Sequence, residues 1–195
     1  MHENNIVYIL LKQSSNLLDD ILKDKRKFLV SALLSLLGIL VIIKFERLFF
    51  IALLIGLGIV SLLYIRFFKY AHYVGIELCM MATVLISLAY GQVAGAFAGF
   101  ASITGALVLS GYFKPSYFIS VLALPLIGLI VPLFSWLNLW QLGVLMTILY
   151  DLVVLPLYIL MGSRIESSVV FFITHVLFNY WVFTTIAPFF YNLII

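Results

Sequence analysis

Apolar residues run along this chain in long stretches broken by short polar turns. After residue 27 the stretches cover 28–43, 48–65, 71–90, 93–112, 118–134, 138–161 and 168–190. About 20 helical residues cross the hydrocarbon of a bilayer, so each stretch is a candidate span. The breaks have a physical basis. Lys44-Phe45-Glu46-Arg47 joins two short stretches into a tight helical hairpin. Gly91-Gln92 separates the third from the fourth. Phe113-Lys114-Pro115-Ser116 is a turn, because a proline pushes its predecessor out of helix. Pro125 and Pro132 predict a kinked or partly re-entrant fifth span.

Residues 1–27 follow another pattern. Leu10, Leu11, Leu17, Leu18, Ile21 and Leu22 form one apolar stripe, with Asp19, Asp20, Lys23, Asp24 and Lys25 mostly off it. This is an amphipathic helix of the kind that lies at a lipid interface, as a topology anchor or as a docking surface for a cytosolic partner. The pattern predicts an all-α fold: a polytopic transmembrane helix bundle of six to seven spans over 28–195, behind an amphipathic cytoplasmic helix over 1–27.

Composition strengthens this reading. The 195 residues are 65% hydrophobic and 10% charged, with a mean hydropathy of +1.24. A soluble domain carries about 25% charged residues, and a globule of this length could not hide so much apolar surface from water. The lipid bilayer is therefore the expected partner. The net charge of +3 does not point to nucleic acid, because Lys12, Lys23, Lys25, Arg26 and Lys27 form a juxtamembrane cluster and not a groove. The single cysteine, Cys79, excludes an internal disulfide framework and any multi-cysteine metal site. The first apolar run begins late, so it is expected to stay as an anchor and not to be cleaved as a signal. No cofactor and no metal is expected.

Orientation follows the basic residues. With an inside N-terminus and seven spans, the five N-terminal cations join Arg66, Lys69, Lys114 and Arg164 inside, and only Lys44 and Arg47 lie outside. That nine-to-two split predicts a multi-pass protein of the cell membrane with a cytoplasmic N-terminus. Trp136, Trp140 and Tyr191 then fall near the outer interface.

Two kinds of residue stand out within the spans. Gly91, Gly95 and Gly99 recur every fourth residue, beside a row of Ala94, Ala98, Ser102, Ala106 and Ser110. Helices in lipid associate by close backbone approach, so this face, with Ser102, is expected to pack against another helix, internal or in a partner transmembrane subunit. Ser31/Ser35 and Ala52/Gly56 repeat the spacing in the first hairpin. The second kind is ionisable or strongly polar, expensive in lipid and hence a candidate for function. Glu77 is expected about two turns into the third span. Asp151 lies midway along the sixth, beside Tyr150, and His175 and Asn179 share a face of the last. Each has a structural alternative: an interfacial carboxylate for Glu77, an interhelical hydrogen-bond pair for His175 and Asn179.

No complete catalytic motif is found, so no catalytic residue is assigned. Phe171-x3-His175-x3-Asn179 resembles the histidine–asparagine helix of the CAAX-protease family, without its paired glutamates. Tyr150-Asp151 resembles half of a presenilin-like aspartyl signature, without its Gly-x-Gly-Asp partner. There is no Walker A loop.

The stretch from Glu77 to Gly111, with its Tyr90-Gly91 turn and Gly-x3-Gly helix, resembles the central helix pair of the substrate-binding S components of energy-coupling-factor transporters, a superfamily similar to the rod-shape protein MreD. Ala101-Ser102 stands where that family often has an acidic residue. The resemblance implies a solute-binding bundle without an ATPase of its own, energised by a partner transmembrane subunit and cytosolic ATPases. It implies a cavity among the later helices, at the outer side, with Glu77, Asp151, His175 and Asn179 as polar contacts. The open readings are a small-solute binding or transport subunit, a membrane scaffold or complex-assembly protein, and, as a minor alternative, an intramembrane protease-like protein.

Overall fold

The computed structural model describes residues 25–195 other than 69, 112 and 113. The amphipathic helix expected over 1–27 lies outside the described residues, apart from its last three. The described residues are helical, with no strand among them. The chain divides into two compact units, Met1–Glu46 and Arg47–Ile195. In the first, the described element is helix α1, Lys25–Lys44. Its 20 residues correspond to a rod of about 30 Å.

The second unit is a helix bundle. Helix α2, Glu46–Ser61, begins at the boundary and continues through a 3-10 turn, Leu63–Arg66. Then come α3, Cys79–Tyr90; α4, Gln92–Ser110; and α5, Tyr117–Ile130, which passes through Pro125 and ends in a 3-10 turn at Val131–Phe134. Helix α6, Leu139–Leu160, starts at a capping box between Asn138 and Gln141. Helix α7, Ile165–Trp181, widens into a π-helical turn, Val182–Ile186, just before the Ala187-Pro188 step, and ends as α8, Ala187–Ile194. Glu46–Arg66, Gln92–Ser110, Tyr117–Phe134, Leu139–Leu160 and Ile165–Ile194 are long and apolar enough to cross a membrane. Five such helices are those of a membrane-embedded protein.

The third predicted span needs correction. The sequence suggests one helix over 71–90, but helix occupies only the 12 residues Cys79–Tyr90. Ahead of it lie a 3-10 turn, Ala71–Tyr73, and an extended stretch that begins at Val74. Gly75 explains the break. A Cβ there would stand 2.4 Å from Cβ and 2.7 Å from Cα of His175, so the stretch lies directly on the backbone of α7. The Gly75 N–H donates to Thr174 Oγ1 at 2.9 Å.

Helix α3 is too short to span hydrocarbon alone, and it forms the centre of the bundle. All nine residues from Cys79 to Ser87 are buried, against α4, α5, α6 and α8. Small residues allow the tightest crossings. A Cβ on Gly128 of α5 would lie 2.5 Å from the backbone of Gly95 and Ala96 in α4. Gly95 meets Ser87 of α3, and Gly99 meets the Leu124 carbonyl. Ser87 Oγ donates to the Gly128 carbonyl at 2.6 Å. Ser102 is fully buried and touches the site of a Gly58 Cβ. The small-residue face of α4 is thus occupied inside the bundle. Gly91, grouped with that face in the sequence, does not pack on it. It is exposed, at φ +92°, and turns the chain between α3 and α4, a conformation that favours glycine.

Candidate functional site

Three chain segments converge on one imidazole. The extended stretch held down by Gly75 brings Glu77 to the N-terminal end of α3, not two turns into a span as the sequence suggested. There its carboxylate accepts from the Cys79 N–H and, at 3.1 and 3.2 Å, from the Met80 N–H. A carboxylate at a helix N-terminus satisfies amides that have no intrahelical partner and meets the positive end of the helix dipole.

The same carboxylate lies 3.1 Å from Nε2 of His175 in α7. On the other side of the ring, Nδ1 lies 2.9 Å from Asp151 Oδ1 in α6. Asn179, one turn on from His175, donates its Nδ2 to the His175 carbonyl at 3.1 Å. All four residues singled out in the sequence are buried, Asp151 and Asn179 completely. Glu77, His175 and Asp151 are joined directly, and Asn179 joins through the backbone.

Proton counting limits the charge states. An ionised carboxylate only accepts hydrogen bonds. Two carboxylates on one imidazole therefore need an imidazolium that donates from both nitrogens, or one carboxyl that carries the proton itself. With one proton shared in this way the net charge is −1, and a second proton makes it zero.

Glu77 and His175 also stand in the wall of a cavity of about 410 Å³. That lies within the usual range for small-molecule sites. Asp151 and Asn179 are not in that wall. A chain of hydroxyls continues it: Tyr150 Oη donates to Ser120 Oγ at 2.6 Å, and Ser120 Oγ lies 2.6 Å from Tyr158 Oη. Aromatic rings hold the imidazole, Tyr150 edge-on at 5.8 Å and Phe171 at 5.1 Å between ring centres. Ser120 and Tyr158 went unremarked in the sequence. Their signal was nonetheless present in part, because Thr147, Tyr150, Asp151 and Tyr158 follow a three- and four-residue rhythm along α6.

The cavity also reaches Lys114, in the turn before α5, and Arg164, in the turn before α7. It therefore opens at the basic end of the bundle. Two expectations from the sequence, basic turns inside and a cavity at the outer side, cannot both hold with seven spans. If α1 does not cross, Lys44 and Arg47 join the five N-terminal cations inside. The split then becomes seven to four, with the cavity facing out.

No group of three or more His, Cys, Asp or Glu residues among those described is arranged to hold a metal ion. Comparison of the chain with models of protein families, with curated proteins and with solved structures gives no match.

Proposed function

We propose that this protein is an integral-membrane subunit that binds a small polar solute in the cavity between α4, α5, α6 and α7, and that it draws energy for transport from partner subunits. The observation that carries the reading is a cavity of about 410 Å³ walled by Glu77, His175 and the Tyr150–Ser120–Tyr158 hydroxyls. Buried polar groups in an apolar wall are the usual form of a solute site. A lipid-facing scaffold has no use for them.

The alternative of a membrane scaffold, MreD-like or otherwise, draws less support. A scaffold would show the glycine face of α4 to lipid, whereas Gly95, Gly99 and Ser102 are spent on internal packing. A protease-like role is weaker still. Both nitrogens of His175 are engaged by carboxylates, so neither is available as a base for water. Cys79 is buried, with Sγ on the Gly58 carbonyl at 3.4 Å.

Partner subunits would dock on α2. Ala52 is exposed, and a Cβ on Gly56 would meet nothing within 4 Å. Among the described residues nothing approaches the Gly56 position, which suits a helix from another chain. Placement in the cell membrane with a cytoplasmic N-terminus belongs to the same proposal.

The test is purification of the intact protein in mild detergent, with mass spectrometry of co-purified small molecules. Ser120→Leu fills the cavity from α5 without touching Glu77 or His175. Wild type is expected to retain a solute that Ser120→Leu loses while remaining monodisperse. Identical small-molecule content in the two proteins would count against the proposal.

A further inference from the structure

Two oxygens near the triad are buried and have no hydrogen-bond partner among the described residues: Asp151 Oδ2 and Asn179 Oδ1. Asp151 bonds His175. Eight residues earlier in α6, Gly143 carries the ring of Phe183, eight residues later in the other helix, and a Cβ there would lie 2.2 Å from that ring. The two helices are therefore antiparallel, with Thr147 and Asn179 both buried between these contacts. Thr147 is itself satisfied, its Oγ1 donating to the Gly143 carbonyl at 2.9 Å.

Both are acceptors, and a buried acceptor without a donor costs free energy. One proton on Asp151 Oδ2 changes the first of them. It turns that oxygen into an O–H donor, while Oδ1 still accepts from His175. The charge also balances: Glu77 is anionic, His175 is an imidazolium donating from both nitrogens, and Asp151 is neutral, for a sum of zero. The alternative, with Asp151 ionised, has a net charge of −1 in low dielectric and leaves Asp151 Oδ2 an unused acceptor. The titratable groups around Asp151 are His175 and Glu77, with Tyr150 against the imidazole and Cys79 beyond Glu77.

From this geometry we infer that Asp151 is an inner proton-binding site behind the cavity, and that it carries the proton in the state described here. His175 and Glu77 link the site to the cavity wall, so the proton has a route to the cavity that does not cross lipid.

The test uses the full-length protein in lipid nanodiscs, without added solute, so its outcome is independent of whether a solute binds. Infrared spectra with isotope-labelled aspartate read the carbonyl stretch of a protonated aspartic acid directly. Wild type is expected to show this band at neutral pH, shifted in deuterated water, and Asp151→Asn is expected to lose it. Asparagine replaces the O–H with an N–H donor, so Asp151→Asn is expected to fold and to melt no lower than wild type at neutral pH. Raising the pH removes stability from wild type until the proton is stripped, because over that range the folded state holds a proton that the unfolded carboxylate has released, and leaves the variant comparatively unaffected. Absence of the aspartic acid band in wild type would overturn the inference. So would failure of Asp151→Asn to fold, or a melting point set by sodium concentration and not by pH.

Discussion

His175 Nδ1 lies 2.9 Å from Asp151 Oδ1 and ties α7 to α6, while the opposite ring nitrogen reaches Glu77 at the head of α3. One side chain thereby cross-links three segments. His175→Ala leaves two buried carboxyls without their donor. A loss of about 3–5 kcal/mol is expected, the usual cost of removing one member of a buried ionic group. Thermal unfolding in detergent measures it. Combining His175→Ala with Asp151→Asn should recover part of the loss, and strict additivity of the two would show that the residues are not coupled.

The hydroxyl chain contributes on a smaller scale. Tyr150→Phe removes the donor to Ser120 and is expected to cost about 0.5–1.5 kcal/mol. If Ser120 helps to hold a solute, the same change also weakens solute retention, read by mass spectrometry of the purified variant.

Two glycines should behave in opposite ways. Gly128→Ala drives a methyl into the backbone of α4, 2.5 Å away, and is expected to destabilise by about 1–3 kcal/mol through overpacking. Gly56→Ala meets nothing within 4 Å and should leave unfolding unchanged or slightly delayed, since alanine favours helix. Gly56→Leu should spare the fold and abolish co-purification of any partner that docks on α2. Equal damage from Gly128→Ala and Gly56→Ala would contradict the packing described.

The sidedness of the cavity can be read by labelling. Cys79 is buried, so single cysteines can be introduced against a silent background. Lys114→Cys and Arg164→Cys are expected to react from one side of the membrane and Arg47→Cys from the other, with an N-terminal tag in the cytoplasm. Labelling of positions 114 and 164 from outside means six spans with α1 not crossing, whereas labelling from inside means seven. Reaction of 114 and 164 from opposite sides is incompatible with the bundle.

Much of the architecture was legible along the chain, for reasons local to it. Length and apolarity are properties of a segment, so the helices from α4 to α7 follow from the runs between polar turns. The rhythm of Gly95, Gly99 and Ser102 marks a face that must be covered, because small side chains repeat at helical spacing. Glu77 was harder to place. Its surroundings are as apolar as a span, and nothing within 74–78 announces that the backbone there leaves helix. The cause lies a hundred residues away, in the contact of Gly75 with His175.

By itself, then, the sequence determined the solvent: so many apolar residues in runs of span length leave hydrocarbon as the medium, whatever the details of packing. It also determined which polar residues would be costly there. What only the tertiary structure decided is that Glu77, His175 and Asp151 meet, and that a cavity opens on one side. Those relations depend on the register of one helix against another. Register is set by where glycines such as Gly75, Gly128 and Gly143 admit a neighbour, and that depends on both surfaces at once.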